Sequence, residues 1–292
     1  MSILLSLSLL FQAAPIPRII SVEELAGRLT DPKLVIFQIG DTRSKEVYDA
    51  GHIPGSQFLS PFSDLAAPRG GPDALLLEIP ATAQLDSVLP TRGVSSDSWI
   101  VLVSAAEYFS PTTRAAMTLE YAGLGGRVAL LDGGLEAWKA AGKPVTTDVP
   151  TPTRGNFKTS PDRSVLATID DLAGNLENPK VAILDARAAA FYNGADTRQG
   201  RNGHVPGAKN VPFTSMIGED GKFKDKAELA AIFEAAGAKP GNRVITYCHI
   251  GQQATLVWFV AKYLGYDARL YDGSFQEWAK RTGLPVVARS GN

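Results

Sequence analysis

The stretch RVITYCHIGQQATLVWFVAKYLG, Arg243–Gly265, holds the chain's only cysteine, Cys248, between an apolar run and a short polar turn. RVITY reads as a buried strand. ATLVWFVAKYLG reads as a helix with apolar residues on most faces. Cys248 therefore falls at the carboxyl end of a strand, and Cys248–Gln253 leads into a helix N-terminus. In open α/β sheets this edge is where ligands bind. A helix N-terminus adds unpaired N–H groups and a partial positive charge, both of which favour a thiolate. Gly251 admits backbone angles that a side chain forbids, so the loop can curl its amides around the sulfur. The context favours an exposed, reactive thiol over a buried, inert one.

Working outward, the same kind of unit occurs twice. DTRSKEVYDAGHIPGSQF (Asp41–Phe58) and DARAAAFYNGADTRQGRNGHVPGAKNVPF (Asp185–Phe213) both open on Asp-x-Arg beside an apolar run and reach Gly-His-(Ile/Val)-Pro-Gly. WIVLVSAAEYFSPTTR is followed by ALLDGGLEAW, as RVITYCHIGQQAT is followed by RLYDGSFQEW. Four blocks in one order, repeated, mark a tandem duplication. Asp41 lies 11 residues before His52 but Asp185 lies 19 before His204, which places an eight-residue insertion around NGADTRQGRNG.

Within each unit, apolar runs (LVIF, WIVLV, RVALL; VAIL, RVITY, ARLY) alternate with helical patterns (SVEELAGRL, PTTRAAMTLEYAGL; AELAAIFEAAG, ATLVWFVAKYLG). Such alternation predicts βαβ crossovers and a mostly parallel sheet flanked by helices. The fold class is α/β, with two tandem domains. Residues 1–16 read as a signal peptide, 17–148 as the first domain, 149–163 as a linker rich in Pro, Thr and charge, and 164–292 as the second domain. The apolar run Ile3–Phe11 is too short to span a bilayer. The expected location is periplasmic or otherwise exported, with a cytoplasmic chain as the alternative.

Composition narrows the functions. Net charge is −1, from 29 basic and 30 acidic residues, with no basic patch to meet nucleic acid. A single cysteine forms no internal disulfide. The three histidines and the lone cysteine show no metal-ligand spacing, so neither a metal nor another cofactor is expected. The clamp arginine that a cysteine phosphatase needs six positions after its nucleophile is Ala254 here, and no GxSxG elbow marks a serine hydrolase.

The ordered blocks, with a cysteine in the second copy only, resemble the rhodanese family in its tandem-domain sulfurtransferase form, over about Ile19 to Val287. The resemblance implies that Cys248 takes a sulfane sulfur from a donor, forms a persulfide and passes it to a thiophilic acceptor. It also implies a silent first domain, where Ser104 or a near neighbour matches Cys248. A serine without a base is a poor nucleophile. The family's six-residue loop maps onto Cys248, His249, Ile250, Gly251, Gln252 and Gln253. This loop lacks both the adjacent cations of thiosulfate-preferring relatives and the Gly-Ser-Gly of mercaptopyruvate-preferring ones.

Arg187 matches the family position that contacts the anionic donor. Arg198 and Arg201, in the insertion, fall where a second anion-binding arginine occurs. His204, Asp132, Asp272, Trp138 and Trp278 read as structural. Thiosulfate is the first expectation for donor and 3-mercaptopyruvate the second. A persulfide carrier without turnover is the non-enzymatic alternative. With no second cysteine to resolve a persulfide, turnover needs an external acceptor: cyanide, sulfite, a small thiol or a thioredoxin-like reductant.

Overall fold

The structure, a computed structural model, describes residues 16–105, 109–195 and 200–288. Residues 1–15 of the expected signal segment, and Arg198, lie outside the described residues.

The apolar runs form two five-stranded sheets, parallel throughout. The first comprises β1 (Ile19–Ile20), β2 (Leu34–Ile39), β3 (Ser56–Leu59), β4 (Trp99–Ser104) and β5 (Val128–Leu131), ordered β1-β5-β4-β2-β3. The second comprises β6 (Leu166–Ala167), β7 (Val181–Asp185), β8 (Lys209–Asn210), β9 (Arg243–Tyr247) and β10 (Asp267–Tyr271), ordered β6-β10-β9-β7-β8. The central strands are buried on both faces, as continuous Val/Ile/Leu runs require. The two-residue strands carry no periodicity and escape a sequence reading.

Helix boundaries follow local chemistry. Val22–Ala26 starts at a capping box between Ser21 and Glu24 and stops at Gly27. PTTRAAMTLEYAGL splits into the helix Ser110–Leu119 and a wider turn, Glu120–Leu124, because Gly123 adopts φ 103°. There a Cβ would lie 2.7 Å from the Ser160 carbonyl oxygen.

The register aligns the two copies. Ile100 pairs with Val128 as Val244 pairs with Ala268, so Ser104 is the counterpart of Cys248. Gln38 pairs with Val103 as Asp185 pairs with Tyr247, which makes Gln38, not Asp41, the counterpart of Asp185. The insertion is therefore five residues rather than eight: His204 lies 19 positions after Asp185, and His52 lies 14 after Gln38. Asp41 instead caps the helix Thr42–Ala50, accepting from the amides of Arg43 and Ser44.

The domains meet along two helices, Ser110–Leu119 and Ala254–Tyr263. Every residue of the first except Pro111, and the first eight of the second, are buried. Each fully buried Leu, Val or Phe there is worth about 1.5–3 kcal/mol. The seam is close to two-fold symmetric. The Thr113 and Thr255 hydroxyls meet at 2.8 Å. Asp132 accepts the Phe223 N–H of the other domain at 2.9 Å, and Asp272 accepts the Ile79 N–H of the other domain at 3.0 Å. At the far end Glu120 pairs with Arg18 and, across the seam, with Lys262. The connecting segment is laid onto the first domain. Gly155 N–H donates to Pro90 O, Phe157 N–H to Val94 O and Ser160 N–H to Ala122 O.

Candidate active site

Strand β9 ends at Tyr247 and delivers Cys248 to the top of the second sheet, against the seam. The thiol residue is only 1% exposed. This corrects the expectation of an exposed cysteine: Cys248 packs in the core cluster shared by the two domains, beneath a first domain that a single strand–loop–helix unit does not reveal.

The loop is held by its carbonyls. Cys248 O accepts from Phe275 N–H at 2.9 Å, His249 O from Gln276 N–H at 3.0 Å, and Gly251 O from Arg114 Nη1 at 3.1 Å. Gln252 O accepts from both the amide and the hydroxyl of Thr255, and Gln253 O from the amide of Leu256. Among the described residues no acceptor takes the amides of Ile250, Gly251 or Gln252. With carbonyls turned outward, peptide planarity turns the following amides the other way. The Cys248 amide itself donates to Ser274 Oγ at 3.2 Å, and that hydroxyl donates to Tyr271 O. Gly251 sits at φ 77°, where a Cβ would meet the Asp272 carbonyl oxygen at 2.7 Å, so this position needs glycine.

Arg187 is 2% exposed beside this loop. Its Nε lies 3.0 Å and 3.1 Å from the two Asp185 carboxylate oxygens, and Nη2 reaches Oδ2 at 2.6 Å and the Gly203 carbonyl at 2.8 Å. The guanidinium carbon stands 4.1 Å from the Phe275 ring centroid. Burial opposes its charge, but the Asp185 carboxylate, with Tyr247 and Cys248 nearby, more than offsets that and raises its pKa. Tyr247 donates to Asp185 Oδ2 at 2.7 Å; burial, then the Asp185 charge, push its phenol well up, so it stays a donor. Arg187 is thus a desolvated cation whose charge Asp185 largely balances.

The other expected residues separate. The His249 ring sits edge-on to Phe191, with centroids 4.3 Å apart. Gln252 Nε2 donates to Ser110 Oγ across the seam at 3.2 Å. Ile250 and Gln253 are half-buried in the loop. Arg201 is directed elsewhere: it donates to the carbonyls of Arg281 (3.2 Å) and Leu284 (2.9 Å), pinning the C-terminal segment. His204 stacks on Tyr192 at 3.7 Å with Nδ1 2.7 Å from its carbonyl, as His52 does with Tyr48 at 3.8 Å and 2.8 Å. Trp138 and Trp278 likewise mirror each other, donating to Pro144 O and Pro285 O. Repetition in the copy without a cysteine marks all four as structural.

Sequence reading missed three groups that hold the loop: Ser274, Gln276 and Arg114. Gln276 exchanges two hydrogen bonds with the Leu76 backbone of the other domain. The signal for Arg114 was one charge inside a helix of otherwise small and apolar residues.

Two copies of one parallel-sheet domain, with a cysteine at the end of the central strand in the second copy alone, define a duplicated α/β protein. The rhodanese-like domain family matches residues 21–141 and again 168–281, and the chain belongs to the rhodanese family.

Relatives span nearly the whole length. A probable 3-mercaptopyruvate sulfurtransferase of Pseudomonas aeruginosa is 33% identical, over 92% of this chain and 98% of that one. A thiosulfate sulfurtransferase of Azotobacter vinelandii is 30% identical, over 94% and 98%. A sulfur carrier protein, TtuD, of Thermus thermophilus is 30% identical, over 92% and 96%. The crystal structure of the 3-mercaptopyruvate sulfurtransferase SseA from Escherichia coli superimposes with a TM-score of 0.78 at 26% identity, covering 89% of this chain and 99% of that one. The chain is a rhodanese-family sulfurtransferase.

Proposed function

We propose that the protein moves a sulfane sulfur from thiosulfate to a thiophilic acceptor through a persulfide on Cys248. The carrying observation is the carbonyl-out loop around a lone cysteine at the end of β9. In the first step the Cys248 thiolate attacks the outer sulfur of thiosulfate. The new Sγ–S bond forms as the donor S–S bond breaks, and sulfite leaves with the electron pair. In the second step the acceptor attacks the terminal sulfur and the thiolate is restored; with cyanide the product is thiocyanate. The negative charge stays on sulfur throughout, where inward amides stabilise it. Arg187 compensates the approaching anion from a desolvated position.

A second donor, 3-mercaptopyruvate, is favoured by one observation. Asp185 takes much of the charge of Arg187, which suits a monoanion better than a dianion. There the thiolate takes the substrate sulfur as the C–S bond breaks, and the electron pair left on carbon is protonated to give pyruvate. Steady-state sulfur transfer to cyanide, with both donors side by side, decides between them. Persulfide loading without turnover on either donor would support a carrier, as the name of the Thermus relative suggests.

A further inference from the structure

The seam's two-fold symmetry breaks at Arg114. Thr113 and Thr255 face each other, so the next positions, Arg114 and Leu256, are counterparts on the two helices. Leu256 lines an open cleft of about 950 Å³ beside Ser104 and Asp132, in the copy without a cysteine. Arg114 instead fills the matching space beside Cys248's loop. Its side chain is wholly buried, Nη1 reaches Gly251 O and Asp272, and Nη2 reaches Leu77 O. Its Nε is buried with no partner. A group that only filled space would be better served by methionine or leucine, since an orphaned buried donor costs about 1–3 kcal/mol.

Gly251 completes the fit. A Cβ there would stand 3.1 Å from Arg114 Nη1, so the loop's close approach is shaped to this guanidinium. The carbonyl it holds belongs to the Gly251–Gln252 peptide. A planar trans peptide that points its oxygen toward the first domain points the Gln252 N–H away from it, back into the loop.

We infer that Arg114, on the domain that lacks the cysteine, is a positioning residue for sulfur transfer: it fixes the Gly251–Gln252 peptide so that the Gln252 amide faces Cys248. This rests on the reading of Cys248 as the sulfur-carrying nucleophile. The first domain is then part of the catalytic apparatus through one side chain, and a second domain expressed alone lacks that fixed amide.

The test uses the full chain with Arg114→Met, Arg114→Lys and, as a seam control, Lys262→Met, which removes a cross-domain ion pair at the far end of the same helices. Single-turnover loading of Cys248 from thiosulfate and from 3-mercaptopyruvate is followed by intact mass, with alkylation by iodoacetamide measured separately. The expected result for Arg114→Met is a loss of about ten- to a hundredfold in the loading rate, with donor KM changed less than about threefold, because a charge-stabilising amide acts mainly beyond the ground state. Arg114→Lys recovers part of the rate, and Lys262→Met matches wild type.

Alkylation needs no sulfur donor, so it judges Arg114 even if wild type loads no sulfur, an outcome that would sink the proposed function instead. Alkylation slower in Arg114→Met than in wild type supports positioning. A merely structural role opens the seam and makes alkylation faster. Equal or faster alkylation, or equal losses in Lys262→Met, overturns the inference. Should Arg114→Met fail to fold, Arg114→Lys carries the same comparison, with slower alkylation than wild type expected.

Discussion

Gln38 and Asp185 hold the same register position in the two sheets, and only Asp185 has partners. Asp185 binds Arg187 and Tyr247 beside Cys248. Gln38 is fully buried with neither amide atom hydrogen-bonded. The first copy thus keeps a polar residue at this position without the cation that would use it, since Gly40 stands two positions on where the second copy has Arg187.

Replacing that orphan should stabilise the protein. Gln38→Met keeps the shape and removes two unsatisfied atoms, and a gain of about 1–2 kcal/mol is expected. The urea midpoint measures it. An unchanged or lower midpoint would show that the amide has partners in solution.

Asp185→Asn should do the reverse. It leaves Arg187 buried beside a neutral amide, a loss of about 3 kcal/mol or more. Sulfur transfer should fall as well, because Arg187 and Tyr247 both lose their anchor. Chemical denaturation and the cyanide assay on one preparation separate the two effects. Wild-type stability would mean that water compensates the arginine.

Glu78, in the first-domain segment whose Leu76 and Ile79 backbone meets Gln276 and Asp272 of the second domain, links the seam to pH. Burial, then the charge of Asp272, raises its carboxyl to about 7 from a usual 4.5. A raised carboxyl holds its proton longer in the folded state, so its stabilising influence is full below about pH 4.5 and is lost as pH climbs through about 7. Glu78→Gln should match wild type near pH 4.5. At pH 8 it should be the more stable by about 1 kcal/mol, after allowance for solvent screening of a partly buried group. Melting temperatures of both proteins across that range check the sign. A constant difference would count against it.

Gly251→Ala should cost activity more than fold. The new methyl meets the Asp272 carbonyl and the Arg114 guanidinium, and alanine is strained at φ 77°. A loss of at least about tenfold in transfer rate is expected, since a single misplaced charge-stabilising amide can cost more than that. Full activity would show that the loop geometry is not needed.

Much of this architecture was legible before the structure. Continuous apolar runs such as WIVLV and RVITY specify strands buried on both faces, and their alternation with helical patterns specifies parallel order. The placement of Cys248 at the end of β9 was legible because RVITY reads as a strand and ATLVWFVAKYLG as a helix. What escaped depends on distant contacts. Arg114 meets Gly251 across 137 residues of sequence, and inside PTTRAAMTLEYAGL it reads as an ordinary charge on a helix face. The burial of Cys248 comes from the same packing between domains. Asp41 imitates Asp185 in sequence because Asp-x-Arg recurs, yet only strand register reveals that Gln38 holds the place. Arg201 read as a donor ligand because a guanidinium suits anions, but two backbone carbonyls of the C-terminal segment claim it.

Intact-protein mass after brief incubation with thiosulfate or 3-mercaptopyruvate tests the central claim most directly. The account predicts a gain of one sulfur atom, mapped to the Cys248 peptide, discharged by cyanide and absent in Cys248→Ser. A wild-type protein that gains no sulfur from either donor, or a Cys248→Ser variant that gains it equally, would contradict the account.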